Sequence, residues 1–162
     1  MCNDPHYQDY AEALTIDYFP TVLSYGDVLD AFFRSHDAIA SRGRSRQYSS
    51  VIFTHGDEQV AAAKRALADH PHAATSIEPA SDFWAAEPYH QKWLLQRKRP
   101  LMLALGLEST DELLGPAATL LNAVAAGRLD ETRALARLDA LLDAGELRPS
   151  AHGTLRSILD PF

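Results

Sequence analysis

A strand, a turn and a helix are written into residues 10–37, and the rest of the chain has to fit around them. Glu12-Ala13-Leu14-Thr15-Ile16-Asp17-Tyr18 alternates, with Leu14, Ile16 and Tyr18 on one side and Ala13, Thr15 and Asp17 on the other. A period of two predicts a half-buried strand over 12–18. Pro20 ends it, because proline cannot donate to a ladder. Ser24-x-x-Asp27 then reads as a capping box. Behind it Val28, Leu29, Phe32 and Phe33 recur at helical spacing and give one broad apolar face. Glu12 is the odd member. It shares parity with Leu14 and Ile16, so it should point to the apolar side, where a carboxylate needs partners.

The same stretch carries a resemblance. Tyr10-Ala11-Glu12-Ala13, Asp17-Tyr18-x-Pro20, Leu23-Ser24-Tyr25, Leu29-x-x-Phe32-Phe33 and His36-Asp37 stand in the order found in the A-type peptide methionine sulfoxide reductases. Gln47-Tyr48-x-Ser50-x-Ile52, Glu58-Gln59 and Phe83-x-x-Ala86-Glu87-x-Tyr89-His90-Gln91 continue the series. The resemblance covers roughly residues 5–95, and so many short matches in one order are far more specific than any one of them. It implies an α+β fold: a reduced form of that family's sheet with packed helices, followed by a small all-helical segment. The expected domains are 1–99, resembling the reductase, and 100–162, a helical extension.

The chain departs from the family pattern at defined places. The family begins with a strand leading to a Gly-Cys-Phe-Trp turn that carries the nucleophilic cysteine, and no such run stands among these 162 residues. Cys2 is the one cysteine, with no Phe-Trp after it. The family aspartate five positions before Gln-Tyr is Gly43 here, and the proline after His-Asp is Ala38.

With 46% hydrophobic residues the chain has enough apolar side chains for a core. A net charge of -7 without a long basic run argues against binding nucleic acid through its phosphates. No apolar run is long enough to span a membrane, and the N-terminus lacks a signal-peptide pattern. A single cysteine excludes an internal disulfide framework, and the seven histidines show no zinc spacing. Cytoplasm is the simplest compartment.

Further along, residues 38–46 read as a loop and 48–53 as a second strand, with Tyr48, Ser50 and Ile52 on one face and pairing expected with 12–18. Thr54-x-x-Asp57 reads as the cap of a helix carrying Val60, Ala63 and Leu67 and stopped by Pro71. Residues 73–78 form a weak third strand, and Ser81 caps a helix carrying Phe83, Trp84, Ala86, Trp93 and Leu94. The tryptophans are expected in a core. Arg97-Lys98-Arg99-Pro100 marks the boundary. Ser109-x-x-Glu112 opens a helix that Gly115-Pro116 must kink or restart, with Gly127 as its C-cap. Leu135, Leu138, Leu141 and Leu142 stripe the next helix up to Gly145, and a last helix spans about 150–159. The helices within 109–144 could contact another protein.

Reduction of a sulfoxide needs a thiolate to attack sulfur, a donor for the departing oxygen and an apolar pocket for the methyl group. The resemblance implies that Glu12 and Tyr48 are the donors. Pro5-His6-Tyr7 resembles the family's Pro-x-Tyr, so Tyr7 joins Tyr10 and His90 as substrate-binding residues. Cys2 is the remaining candidate nucleophile. Each has a plainer alternative: Glu12 a solvated carboxylate, Tyr48 a core tyrosine, Tyr7 an arm residue, Cys2 an inert terminal thiol. His36-Asp37 ties a helix end to a loop. Two functions follow. One is a non-reducing member that keeps the oxygen-binding half of the site and binds methionine sulfoxide or a related small sulfoxide. The other is an active reductase that uses Cys2, an external thiol or an upstream segment. Neither calls for a cofactor or a metal.

Overall fold

The computed structural model describes residues 10–39, 45–106 and 113–160. They divide into two compact units, 1–83 and 84–162. Mixed helix and strand make the fold α+β, as expected.

In the first unit, α1 (Tyr25–Ser35) begins at the capping box. The Asp27 N–H donates to Ser24 Oγ at 3.1 Å and the Ser24 N–H donates to Asp27 Oδ2 at 2.9 Å. This satisfies two backbone donors that a helix start leaves orphaned, and the Ser24 bonds hold the Asp27 carboxyl below its usual range. β1 (Val51–Thr54), α2 (Asp57–Ala68) and β2 (Ser76–Pro79) form a βαβ unit, with the strands parallel and Ile52 opposite Ile77. Helix α2 packs on both strands and on α1. Leu29, Phe33, Ala38, Ile52 and Ala63 make the core, so the apolar face of α1 is spent as its spacing predicts.

Several expectations are corrected. Residues 12–18 form no strand and do not pair with β1; the partner of β1 is β2. Leu14 and Ile16 are 75% and 50% exposed. An alternating pattern makes a strand only where a neighbour supplies the ladder. The second strand begins at Val51 rather than at residue 48, because residues Arg46–Tyr48 wind into a 3₁₀ turn. Thr54 does not cap α2. Its hydroxyl donates to the Glu78 carbonyl at 3.1 Å, and Gly56 at φ 130° holds the N-cap position instead. Glycine is suited to that backbone angle.

Across the boundary between the units, the helix expected from Ser81 does not form. Residues 81–87 are irregular, Pro88–His90 is a 3₁₀ turn and α3 is limited to Trp93–Gln96. Phe83, Trp84 and Trp93 are exposed rather than in a core. The Arg97 guanidinium covers the Trp93 ring at 4.7 Å. Next come α4 (Arg99–Leu105), α5 (Pro116–Ala125), α6 (Glu131–Asp143) and α7 (Pro149–Leu159). Gly115-Pro116 restarts the chain as a helix, with Pro116 in the first turn, where a missing N–H costs nothing. Gly127 (φ 65°) and Gly145 (φ 73°) follow the ends of α5 and α6 in the left-handed region. In both cases the residue after the glycine donates back into the last turn: the Arg128 N–H to the Ala123 carbonyl and the Glu146 N–H to the Leu141 carbonyl, each at 2.9 Å. The cap read at Ser109 lies outside the described residues. Leu138 is fully buried, and Leu135 and Leu141 pack against the same core, so the leucine stripe is used inside this unit.

Candidate functional site

Glu12 is exposed, and two hydrogen bonds fasten it to Gln47. Its N–H donates to the Gln47 carbonyl at 2.9 Å, and the Gln47 Nε2 donates to Glu12 Oε1 at 2.9 Å. An amide across a carboxylate leaves the second oxygen open to a further partner. The inward orientation that parity predicts for Glu12 does not arise, because the segment is not built into a sheet. Tyr48, next to Gln47, is half exposed at the end of the 3₁₀ turn, not on the buried strand face with Ser50 and Ile52. Tyr10 is exposed two residues before Glu12.

The turn that carries Gln47 and Tyr48 is anchored from below. Arg46 donates to both oxygens of Glu78 on β2, at 2.8 and 2.6 Å, and lies 5.7 Å over the Phe53 ring. Ser76 Oγ adds a third donor to Glu78 at 2.7 Å. The Arg46 bonds, then the Ser76 bond, hold the Glu78 carboxyl below its ordinary value. A carboxylate whose pKa is lowered on folding contributes stability in full above its unfolded value of about 4.3, and loses it as the pH falls through the lower folded value. The urea midpoint of the first unit should therefore drop between neutral pH and pH of about 3, and Arg46→Met should flatten that part of the drop. An unchanged pH profile in Arg46→Met would show that the pair does not carry it.

His36 serves structure here, as read from the sequence. Its Nδ1 lies 2.9 Å from the Phe32 carbonyl, which can only accept, so the proton belongs on Nδ1. In that tautomer Nε2 is the acceptor for Ser50 Oγ at 2.8 Å, and Ser50 in turn lies 2.8 Å from Thr75 Oγ1. Asp37 accepts from the Ile39 N–H at 3.0 Å. His90 belongs to the second unit, on the exposed 3₁₀ turn, its ring 4.3 Å from that of Tyr89 and its Nε2 4.0 Å from Glu87. Cys2, Tyr7 and Gly43 lie outside the described residues. Among the described residues no three His, Cys, Asp or Glu side chains gather in a way that would hold a metal ion. No helix among them is long and apolar enough to cross a membrane.

Sequence reasoning gave no structural role to two residues that build this corner. Gln47 stands in the motif run, but its bond to Glu12 spans 35 positions. Arg46 lies in the stretch that reads as a loop, and it is paired with Glu78 on β2.

Glu12 is thus held by Gln47, the residue that precedes the exposed Tyr48 in the chain. The family model for peptide methionine sulfoxide reductase matches residues 3–113. The chain belongs to the peptide methionine sulfoxide reductase family. It is 37% identical over 125 residues to the Drosophila melanogaster peptide methionine sulfoxide reductase, covering 74% of this chain and 51% of that protein. It is 35% identical over 125 residues to the Methanothermobacter thermautotrophicus enzyme, covering 66% of this chain and 74% of that one. It is 35% identical over 129 residues to the Oryza sativa subsp. japonica reductase A5, covering 73% of this chain and 51% of that protein. The chain thus spans about half the length of the fly and rice relatives.

Proposed function

We propose that this chain recognises methionine sulfoxide through Glu12 and Tyr48 and, by itself, reduces it slowly or not at all. The observation that supports this reading is the Glu12–Gln47 clip, which ties the carboxylate to the turn that also carries Tyr48. A polarised sulfoxide oxygen is a strong acceptor, and a protonated carboxyl and a phenol are suitable donors to it. Residues 1–99 make the recognising part in this reading, with Tyr7 and Tyr10 contributing, and 100–162 are an appended helical part. The single cysteine suits the reducing cytoplasm.

The second reading is an active reductase. Thiolate attack on the sulfoxide sulfur, with protonation of the oxygen, releases methionine and leaves a sulfenic acid. Two external thiols then return that acid to a thiol, giving a disulfide and water. The length of the fly and rice relatives favours this reading, with the thiol supplied from outside these 162 residues.

Both are tested with the purified chain, dithiothreitol and a methionine sulfoxide peptide, following methionine by chromatography and binding by calorimetry. Little or no turnover is expected, unchanged in Cys2→Ser, because a nucleophile misplaced by about 1 Å already costs on the order of a hundredfold. Binding should weaken by up to about tenfold in Glu12→Ala, the upper end for one neutral hydrogen bond. Robust turnover abolished by Cys2→Ser would establish the second reading with Cys2 as its thiol, and robust turnover indifferent to Cys2→Ser would establish it with the external thiol. Failure of the peptide to bind, or binding indifferent to Glu12→Ala and Tyr48→Phe, would end the first.

A further inference from the structure

Within the second unit a groove lies open between α4 and α7. The Arg148 guanidinium, just before α7, donates to the Leu105 and Gly106 carbonyls at the end of α4, at 3.0 and 2.6 Å. The end of one helix thus meets the start of the other, and the two run antiparallel. The groove has a volume of about 600 Å³, and its lining includes Pro100, Leu103 and Ala104 of α4 and Ala151, Thr154 and Ile158 of α7. Arg99 and Leu103 stand four apart on α4, as do Thr154 and Ile158 on α7, so each pair shares one side of its helix. Leu101, Leu105, Leu155 and Leu159 are spent in the core of this unit. Leu103 and Ile158 are not: they are 68% and 37% exposed.

The charge around the groove has one sign. No lining residue is acidic. At the start of α4, Arg97, Lys98 and Arg99 are exposed, and none of them has a carboxylate partner among the described residues. The sequence holds no Asp or Glu between Glu87 and Glu108, although the whole chain carries a net charge of -7. We propose that the groove binds an acidic amphipathic helix of another protein. Its aliphatic side chains lie between Leu103 and Ile158, and its carboxylates face Arg97, Lys98 and Arg99. Complementary charge at the rim steers and selects such a partner, while the apolar floor supplies the burial. A small-molecule site encloses most of its ligand, which a groove with Leu103 this exposed cannot do. A helix laid along two helices needs only one of its faces covered. The seven residues of α4 span about 10 Å, or two helical turns, so the partner contributes apolar side chains at i and at i+3 or i+4.

The probe is a short fluorescein-labelled peptide of Glu-Glu-Leu-Leu repeats, and its anisotropy should rise on addition of the full chain. Binding should weaken as salt is raised, because the charges at the rim are exposed. Leu103→Glu and Arg99→Glu should each weaken it about tenfold or more, through the floor and the rim respectively. Both positions are exposed, so the far-ultraviolet circular dichroism should stay unchanged. Peptides with Lys in place of Glu, or Ser in place of Leu, should not bind. The proposal is overturned if the acidic peptide fails to bind, if either altered peptide binds equally well, or if binding is indifferent to both variants. It is also overturned if the chain pellets with phosphatidylserine vesicles and ignores the peptide, which makes the occupant a lipid surface. A dimer in sedimentation that Leu103→Glu dissociates would make the occupant a second copy, and overturns it as well.

Discussion

Leu138→Ala should destabilise the second unit by about 2–5 kcal/mol, the range for deleting a fully buried leucine. Leu138 lies at the middle of α6, which packs on α5 and on α7, and it is 0% exposed. Leu121 of α5 and Leu155 of α7 are equally buried in the same cluster. Three helices therefore lose contacts together, and the rigid neighbours cannot close the cavity. A unit of this size has a stability of only several kcal/mol, so the variant should be partly unfolded on mild heating. The test is amide hydrogen exchange of α5, α6 and α7, which reports this unit separately from the first. Leu103→Ala, at an exposed position on α4, is the control and should cost no more than about 0.5 kcal/mol. Equal protection in the two variants would mean that the leucine cluster does not hold these helices together.

What could be read from the sequence depended on how local the interaction was. The capping box at Ser24, the restart at Pro116 and the glycine caps at Gly127 and Gly145 are decided by bonds within a few residues. All four are found as read. Where a side chain had a distant competitor, the local reading failed. Thr54 has the spacing of a helix cap, but the Glu78 carbonyl of the neighbouring strand takes its hydroxyl. Residues 12–18 have the alternation of a strand, but a ladder requires a second segment that periodicity cannot supply. The tryptophans were expected in a core on residue type alone, and their segment has too little regular structure to bury them. At the candidate site the resemblance identified Glu12 and Tyr48. The device that brings Glu12 to the turn, Gln47, and the anchor beneath it, Arg46 with Glu78, join positions 35 and 32 residues apart, and no spacing rule reaches that far.

His36→Ala should destabilise the first unit by about 1–3 kcal/mol, because it undoes several connections at once. The imidazole closes the end of α1 by donating to the Phe32 carbonyl, one of the acceptors that a helix C-terminus leaves unpaired. Its other nitrogen accepts from Ser50, which sits just before β1 and is 5% exposed. Ser50 also contacts Thr75, just before β2, so one ring links the helix to both strands. The ring is 4.6 Å from that of Phe32, edge-on, and that contact goes as well. Deleting the ring leaves Ser50 with Thr75 alone, and its hydroxyl can turn to donate there, which limits the cost. Ser50→Ala should therefore cost less in the His36→Ala background than in the wild type, with a coupling of about 0.5–3 kcal/mol for groups in one network. Urea unfolding of the two single variants and the double variant measures it. Strict additivity would show that the ring and the hydroxyl act independently, and would leave the contact with Phe32 as the whole contribution of His36.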